Sequence, residues 1–378
     1  MKIAYSIANI ENSGGIERVL STKANYFADV FEYEVHIIVL KNPTKPFFFF
    51  SPKIQIHALG IEKLTHKPWM IFGSHSRKEY QQKLFRKLEE IRPDITISVF
   101  GLDAEFLYKS KDGSVKILEF HFTKNYLRHL GNSLVKDKYR LIRRMWLEFL
   151  LKKEEFYAEK YNHIVLLTQK DKRLWGGCDK FEVIPNPLSF ATEKMADLEN
   201  KIIVSMGRLV YPKGFQYLIR AFALLKEEFF DWKVDIYGNG HDRELLQKEI
   251  NELSLLRHIF LKEPTQEVES VMLESSIFVL PSLYDGFGLV LTEAMACGVP
   301  CVSFDCECGP SDIIKDKVDG FLVPPKDTQV LAEKMKLLIA DKNLRIKMGH
   351  AAAKNVKRFD VSIIMNRWKK YFNEILLN

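Results

Sequence analysis

Two carboxylates in the segment SLYDGFGLVLTEAMACGVP, residues 282–300, have the spacing of a ligand site. Asp285 stands directly before the turn Gly286-Phe287-Gly288, and seven residues separate it from Glu293. The apolar run IFVLPS before the turn predicts a strand, and LVLTEAMACG predicts a helix that ends at a glycine. Backbone N–H groups are free at a helix start and attract polar or anionic groups. The segment therefore predicts a site for a polar ligand between a strand and a helix.

A second candidate site lies in GRLVYPKGFQYLIRAF, after the first predicted strand of the second half of the chain. Arg208 and Lys213 fall in the connection from strand to helix, where Gly214 allows a close turn. The planar guanidinium and the mobile ammonium together suit a diphosphate. On this motif alone, two solvated surface cations remain the alternative.

Two further glycine loops follow predicted strands. NSGGIERV places Gly14 and Gly15 at a helix start, where an anion is favoured. IYGNGHDRELLQKEI places Gly238 and Gly240 at the end of a strand, which fits a turn closing around a base or ribose. A plain turn is the alternative for both loops. The first loop is not G-x-G-x-x-G and has no acidic residue placed for a nicotinamide ribose, which argues against a dehydrogenase.

Short apolar runs alternate with helix-like stretches along the whole chain. The runs are KIAYSIANI, VHIIVL, ITISVF, KILEF and HIVLLT, and then KIIVSMGRL, WKVDIYGNG, IFLKE, SIFVLPS and VPCVSFD. This alternation is typical of a parallel sheet covered by helices, and it occurs twice. It predicts an α/β protein of two Rossmann-like domains. We place the domains at residues 1–187 and 188–360, joined by the polar linker VIPNPLSFATEKMADLEN.

Charge is unevenly distributed along the 378 residues. Residues 1–187 carry 31 Lys and Arg against 22 Asp and Glu, a net charge of +9, whereas the remainder carries −2. A basic half beside a nearly neutral half predicts two halves with different partners. No nucleic-acid-reading motif accompanies the basic half, so we expect no nucleic-acid partner.

Targeting signals and cysteines indicate a cytoplasmic protein. No run approaches the roughly 18 apolar residues that span a bilayer, and MKIAYSIANIE is predicted to be a first strand rather than a signal peptide. Four of the five cysteines lie close together, at Cys297, Cys301, Cys306 and Cys308. Their spacing lacks paired C-x-x-C hooks, so we expect reduced structural thiols and no metal.

Taken together, the motifs occur in an order known from one family. GGIERV, GRLVYPKG, YGNG, SLYDGFGLVLTEAMACGVP and DGFLVPP resemble the retaining glycosyltransferases of the two-domain GT-B type. The resemblance covers nearly the whole chain and is strongest over residues 201–325. It implies a C-terminal domain that binds a nucleotide sugar and an N-terminal domain that chiefly binds the acceptor. It also implies a last helix, residues 361–378, that crosses back onto the N-terminal domain.

The resemblance assigns roles to the residues of the second half. Glu293 matches the acid that accepts hydrogen bonds from the nucleotide ribose, and Asp285 matches the acid that holds the donor-sugar hydroxyls. Backbone N–H groups of residues 286–288 would contact the sugar or phosphate. Arg208 and Lys213 match the pair that neutralises the diphosphate leaving group, a role that metals play in other transferases. The resemblance therefore implies neither a metal nor another cofactor.

The resemblance also concerns His121 and Asp285. His121, just beyond the predicted strand KILEF, resembles the family histidine that faces the donor sugar across the cleft, and a histidine that only fills a loop is the alternative. The leaving phosphate is thought to accept the acceptor's proton in this family, so His121 is expected to position the sugar. Asp285 departs from the usual glutamate and is one methylene shorter. Because aspartate keeps the charge and the acceptor geometry, we expect activity to be retained, and the sequence does not fix the sugar selectivity.

The segment VSFDCECGPSDIIKD bears on the donor sugar. It resembles bacterial transferases that move N-acetylhexosamines, notably N-acetylgalactosamine, onto lipid-linked glycans. Those usually have D-C-P-T-G-P, and here Glu307 and Cys308 replace Pro-Thr. The resemblance favours a UDP-linked hexosamine or galactose-type donor, and a strand and turn with no ligand role is the alternative.

Residues 139–161, YRLIRRMWLEFLLKKEEFYAEKY, predict a basic amphipathic helix. Its charged and aromatic positions are Arg140, Arg143, Arg144, Lys152, Lys153, Trp146 and Phe149. Such a helix suits an anionic bilayer surface, so we expect peripheral binding to the inner face of the cytoplasmic membrane. Ordinary packing on the sheet explains the apolar stripe equally well.

The expected function is retaining, metal-independent transfer of a hexose or N-acetylhexosamine from a nucleotide sugar. The expected acceptor is a growing, lipid-linked bacterial surface glycan, such as capsule or lipopolysaccharide. A nucleotide-sugar epimerase of the same architecture and a catalytically idle nucleotide-sugar-binding protein are the alternatives. The complete set of Arg208, Lys213 and Glu293 argues against the idle protein.

Overall fold

The structure is a computed structural model that describes residues 1–43, 45–61, 75–128, 140–178 and 180–377, without the side chains of residues 75, 140 and 143. The part of residues 139–161 that precedes residue 140 lies outside this description. All named elements below fall within the described ranges.

The N-terminal domain is built on a parallel sheet. Among the described residues this sheet has seven strands in the order β3-β2-β1-β4-β5-β6-β7. The strands are β1 Lys2–Ser6, β2 Glu34–Val39, β3 Gln55–Ala58, β4 Ile95–Ser98, β5 Val115–Glu119, β6 His163–Leu166 and β7 Phe181–Val183. The helices are α1 Gly15–Asp29, α2 His75–Ile91, α3 Arg140–Ala158 and α4 Gln169–Leu174. Every residue of β4 is buried, as expected for a parallel strand covered by helices on both faces.

The C-terminal domain repeats this architecture. Its described strands form a six-stranded parallel sheet in the order β10-β9-β8-β11-β12-β13. The strands are β8 Ile202–Met206, β9 Lys233–Tyr237, β10 Ile259–Lys262, β11 Ile277–Leu280, β12 Cys301–Phe304 and β13 Gly320–Val323. The helices are α5 Phe215–Ala223, α6 Arg243–Glu252, α7 Val268–Leu273, α8 Leu289–Ala296, α9 Pro310–Ile313, α10 Thr328–Ala340 and α11 Lys342–Val356.

The last helix, α12 Val361–Leu377, packs on α1 of the N-terminal domain. The rings of Phe372 and Phe27 stack with centroids 5.4 Å apart, and Trp368 is fully buried. The chain thus passes twice between the domains, and Leu188 N donates to Phe359 O at 2.9 Å where the two crossings meet.

The predicted α/β fold with two parallel sheets is confirmed. The structure adds β3, β7 and β13, which the apolar runs did not identify. Their sequences explain why: β3 is a partly exposed edge strand, β7 has three residues, and β13 begins with a glycine. Each gives a weak apolar signal.

Both sheets reverse their strand order at one place, between β1 and β4 in the first and between β8 and β11 in the second. In open parallel sheets, ligands bind beyond the carboxyl ends of the strands at this switch point. Arg208 follows β8 directly, and Asp285 follows β11. The topology therefore brings the two strongest sequence motifs to the same edge of the second sheet.

Candidate active site

Lys213 and Asp285 form an ion pair at this edge, with Lys213 Nζ 2.6 Å from Asp285 Oδ2. Both side chains are largely buried, so water screens their attraction less than at an open surface. Two residues predicted from separate motifs are thus in direct contact. The shorter Asp285 carboxylate is held by the same lysine that the resemblance assigns to the diphosphate.

Residues 285–288, the DGFG loop, lie against the N-terminal domain. A Cβ atom added to Gly286 would lie 2.2 Å from the carbonyl oxygen of His121, a distance that real Cβ atoms do not adopt. Gly288, with φ 96°, then leads directly into α8. The loop needs glycine at position 286 because the backbone of the other domain approaches so closely. The backbone of His121 therefore contacts the DGFG loop directly, whereas its imidazole is buried beside Glu119. The role of His121 at the donor sugar stays a prediction.

Glu293 lies in α8 with no exposed surface. Its Oε1 accepts a hydrogen bond from Ser189 Oγ and lies 3.0 Å from Arg18 Nη1, so the linker and α1 both contact it. Burial raises the pKa of Glu293, whereas Arg18 and Ser189 oppose that rise. Its other oxygen, Oε2, is buried and has no hydrogen-bond partner among the described residues. A buried polar atom without a partner costs about 1–3 kcal/mol, so Oε2 fits a site that a ligand donor completes.

Arg208 is exposed beyond the carboxyl end of β8 and lies within electrostatic range of Glu17 on α1. Burial raises the pKa of Glu17, and the Arg208 charge lowers it in part. Gly14 caps α1 and Gly15 begins it, and the structure places open space around the position of a Gly15 side chain. The helix start and Arg208 therefore approach the cleft from opposite domains.

The structure gives Gly238 and Gly240 a packing role. A Cβ on Gly238 would lie 1.9 Å from Gly207 O, and one on Gly240 would lie 2.2 Å from Leu209 O. These glycines let the loop after β9 lie directly on the segment that carries Arg208. Contact of the two glycines with a base or ribose stays a prediction.

Sequence reasoning missed several residues that join the domains. Arg18 and Ser189 contact Glu293. Asn125 Nδ2 donates to Glu307 Oε1 at 2.7 Å, which is a further contact between the domains. A signal for Arg18 was present, because this basic residue follows the glycines of GGIERV by one helical turn. Ser189 gave no such signal, since a serine in a turn-rich linker is ordinary.

The clustered cysteines Cys297, Cys301, Cys306 and Cys308 are buried, and none forms a disulfide. Burial raises the pKa of Cys297 and of Cys306 to about 12, so both thiols stay neutral. Within the described ranges, no group of three or more His, Cys, Asp or Glu side chains is arranged to hold a metal ion. Likewise, none of the helices that the structure describes is both long and apolar enough to cross a membrane.

Comparison with known proteins agrees with this arrangement. The family model of glycosyl transferases group 1 matches residues 191–355. An uncharacterized glycosyltransferase of Haemophilus influenzae is 31% identical over 383 residues, covering 97% of this chain and 99% of the relative. A Campylobacter jejuni α-1,4-N-acetyl-D-galactosaminyltransferase is 27% identical over 387 residues, covering 99% of both chains. The name of this relative includes a GalNAc-containing glycan on diphospho-undecaprenol.

The fold is shared with a solved structure of S. aureus TarM in complex with fondaparinux, α-GlcNAc-glycerol and UDP. The TM-score is 0.78 at 16% identity, covering 98% of this chain and 99% of that one. Two parallel-sheet α/β domains of this kind define the GT-B class of glycosyltransferase folds. Within that class, the chain belongs to the group 1 family of glycosyltransferases.

Proposed function

We propose that this glycosyltransferase transfers a hexose or N-acetylhexosamine from a UDP-sugar, with retention of configuration and without a metal, to a lipid-linked bacterial surface glycan. The observation that carries the donor proposal is the buried Oε2 of Glu293, which has no hydrogen-bond partner among the described residues and lies on the helix that follows the DGFG loop. A nucleotide ribose offers adjacent hydroxyl donors, which would complete the hydrogen bonding of this oxygen.

Arg208 and Lys213 suit the diphosphate of such a donor. In the transfer, the bond between the sugar's anomeric carbon and the phosphate oxygen breaks, and negative charge develops on the leaving UDP. Two cations held at the switch point stabilise that charge where it appears. Because Lys213 is already paired with Asp285 at 2.6 Å, its ammonium is fixed before the donor arrives.

Asp285 and His121 suit the sugar itself. The Asp285 carboxylate accepts hydrogen bonds from sugar hydroxyls, and His121 closes the opposite wall of the cleft. The acceptor hydroxyl attacks the anomeric carbon on the face that UDP leaves, and the leaving phosphate takes its proton. Retention of configuration follows from attack on that face.

The proposal of a lipid-linked acceptor is supported by α3. Three apolar side chains of this helix are strongly exposed, Leu141 at 78%, Ile142 at 67% and Met145 at 74%, and the exposed Arg144 stands among them. An exposed apolar face with basic neighbours suits the surface of an anionic bilayer. The name of the Campylobacter relative, which includes diphospho-undecaprenol, agrees with an acceptor carried on a lipid.

Replacing Arg140, Arg143 and Arg144 together by glutamine is expected to weaken binding to acidic vesicles about 10²-fold, since each basic residue near such a surface contributes about 1 kcal/mol. Turnover of a short soluble acceptor should stay intact. Co-sedimentation with vesicles of rising phosphatidylserine content, at low and high salt, measures the loss. Binding of the unchanged protein should weaken in salt, because surface charges are screened within about 10 Å at 0.1 M.

The apolar face is tested separately by Leu141→Ser with Met145→Ser. Leu256→Ser is the matched control, because Leu256 is 60% exposed in the C-terminal domain, away from α3. We expect the α3 variant to lose vesicle binding and the control to keep it. The proposal that α3 binds the membrane is wrong if the unchanged protein does not bind acidic vesicles. It is also wrong if the arginine variant loses turnover of the soluble acceptor.

The donor and the stereochemistry are tested with purified protein and a panel of UDP-, GDP- and ADP-sugars. We expect UDP-sugars to bind most tightly in calorimetric titrations without added metal. NMR of the product should show the new glycosidic bond in the same anomeric configuration as the donor. An inverted bond, or a preference for another nucleotide, would contradict the proposal.

A further inference from the structure

A buried ion pair lies beneath His121. Lys23 of α1 and Glu119 at the end of β5 have side chains that are 1% and 2% exposed, and Lys23 Nζ lies 2.5 and 2.6 Å from the two Glu119 oxygens. Burial lowers the pKa of Lys23, and Glu119 opposes that change. The pair is therefore well formed but fully removed from water.

The fold alone does not explain this pair. A buried ion pair stabilises a protein little or not at all relative to apolar residues of the same volume. Most of the other buried residues of α1 are apolar, including Leu20, Ala24 and Phe27, so an apolar side chain at position 23 would continue the core. The groups that Lys23 and Glu119 contact offer another reason for the pair.

One contact is with the imidazole of His121, which is also buried. Its Nε2 lies 3.4 Å from Glu119 Oε1, the oxygen that also accepts from Lys23. The carbonyl oxygen of the same histidine lies against Gly286 of the DGFG loop. A continuous path therefore runs from Lys23 through Glu119 to the wall of the cleft.

The other end of the pair is enclosed by aromatic rings. Lys23 Nζ lies 3.8 Å from the centroid of the Trp368 ring on α12 and 5.6 Å from that of Tyr5 on β1. Cation–π contacts with desolvated rings hold the ammonium in place. The last helix, which crosses back from the C-terminal domain, thus fixes the base of this path.

We propose that Lys23 and Glu119 are positioning residues for His121: Glu119 orients the imidazole for the donor sugar, and Lys23 holds Glu119 in place. The inference rests on the proposed function in that it places His121 at the sugar. Glu119 lies within reach of the Nε2–H of the imidazole, which leaves Nδ1 as an acceptor for a sugar hydroxyl. Lys23 cancels the charge of Glu119, which would otherwise favour the imidazolium form.

The pH dependence follows from the charged groups around His121. Burial lowers the pKa of His121, Glu119 raises it and Lys23 lowers it. Tyr5 stays neutral because burial raises its pKa, and on the C-terminal side Asp285 and Lys213 compensate each other. The imidazole is neutral at pH values above its pKa. We therefore expect kcat of the wild-type protein to fall only below about pH 6.5.

A double-mutant cycle tests the inference. Lys23→Met leaves the Glu119 charge uncompensated, so the pKa of His121 and the acid limb of kcat should rise by about one pH unit. Glu119→Gln should give no such rise, and the double variant should return the acid limb close to the wild-type position. Loss of the carboxylate should still lower kcat of the double variant about tenfold at every pH, with the donor KM unchanged. NMR titration of the histidine imidazoles and kcat between about pH 5 and 8 give both readouts.

The outcomes separate the inference from a purely structural role and from the proposed function. Equal His121 pKa values in all folded variants, or kcat losses that only follow the loss of Tm, would overturn it. If Lys23→Met does not fold, the test rests on the double variant, which removes both buried charges and keeps the side-chain volume. An unchanged kcat in the double variant would overturn the inference. The NMR titration needs no donor, so it measures the effect of Lys23 and Glu119 on the pKa of His121 even if the protein does not use UDP-sugars.

Discussion

Arg208→Ala and Lys213→Ala are each expected to lower turnover about 10²-fold or more, because each removes a charge-assisted contact to the leaving diphosphate. Both residues follow the carboxyl end of β8, and neither contributes an apolar side chain to the core. The fold should therefore survive, with Tm shifted by only a few degrees. Lys213→Ala also leaves Asp285 without its partner, so its effect on donor KM should be the larger of the two. Steady-state kinetics with a UDP-sugar and an acceptor measures both.

Arg220→Ala is the matched control for this clamp. Arg220 lies on α5, directly after the same loop, and its half-exposed side chain pairs with Glu249. Exposed pairs contribute about 0–1 kcal/mol, so this variant should keep nearly full turnover. Near-normal rates for both Arg208→Ala and Lys213→Ala would show that the diphosphate lies elsewhere.

Glu293→Gln is expected to weaken UDP and UDP-sugar binding alike, by about 10- to 100-fold, because the ribose is common to both ligands. A charge-assisted hydrogen bond contributes about 1.5–3 kcal/mol, which sets this range. Asp285→Asn should instead impair the sugar-dependent step and leave UDP affinity nearly unchanged. Calorimetric titrations with UDP and with the UDP-sugar separate the two roles.

Glu293 also pairs with Arg18 across the cleft, so Arg18→Gln is the control. It breaks the same ion pair and keeps the carboxylate, and we expect a smaller loss of UDP affinity than with Glu293→Gln. Equal losses in the two variants would assign Glu293 to closing the cleft rather than to binding ribose. Equal losses of UDP affinity in Glu293→Gln and Asp285→Asn would show that the two acids have been given the wrong roles.

The fold was predictable because parallel strands that are buried on both faces appear in the sequence as continuous apolar runs. The helices between them appear as stretches in which apolar residues recur with the helical period. β4 and β11 are examples, since every residue in each is buried. The edge strand β3 was not predictable in this way because it is partly exposed. Recognition of the group 1 glycosyltransferase motifs is confirmed by the family match.

The geometry of the site depends on information that the local sequence lacks. Lys213 and Asp285 meet because β8 and β11 are neighbours in the sheet, although β9 and β10 separate them along the chain. The contact of Arg18 with Glu293 requires the two domains to face each other. The Lys23–Glu119 pair was missed because a lysine inside an amphipathic helix gives no sign that it is buried.

Acceptor-dependent release of UDP distinguishes a glycosyltransferase from an epimerase and from an idle nucleotide-sugar-binding protein. The purified protein is incubated with UDP-GlcNAc, UDP-GalNAc, UDP-glucose or UDP-galactose, with and without a short lipid-linked glycan acceptor. We expect UDP and glycosylated acceptor to form in equal amounts with at least one donor, little UDP to be released without acceptor, and both products to be lost in Arg208→Ala. Interconversion of UDP-sugars without acceptor, or donor binding with no UDP release under any condition, would contradict the proposed function.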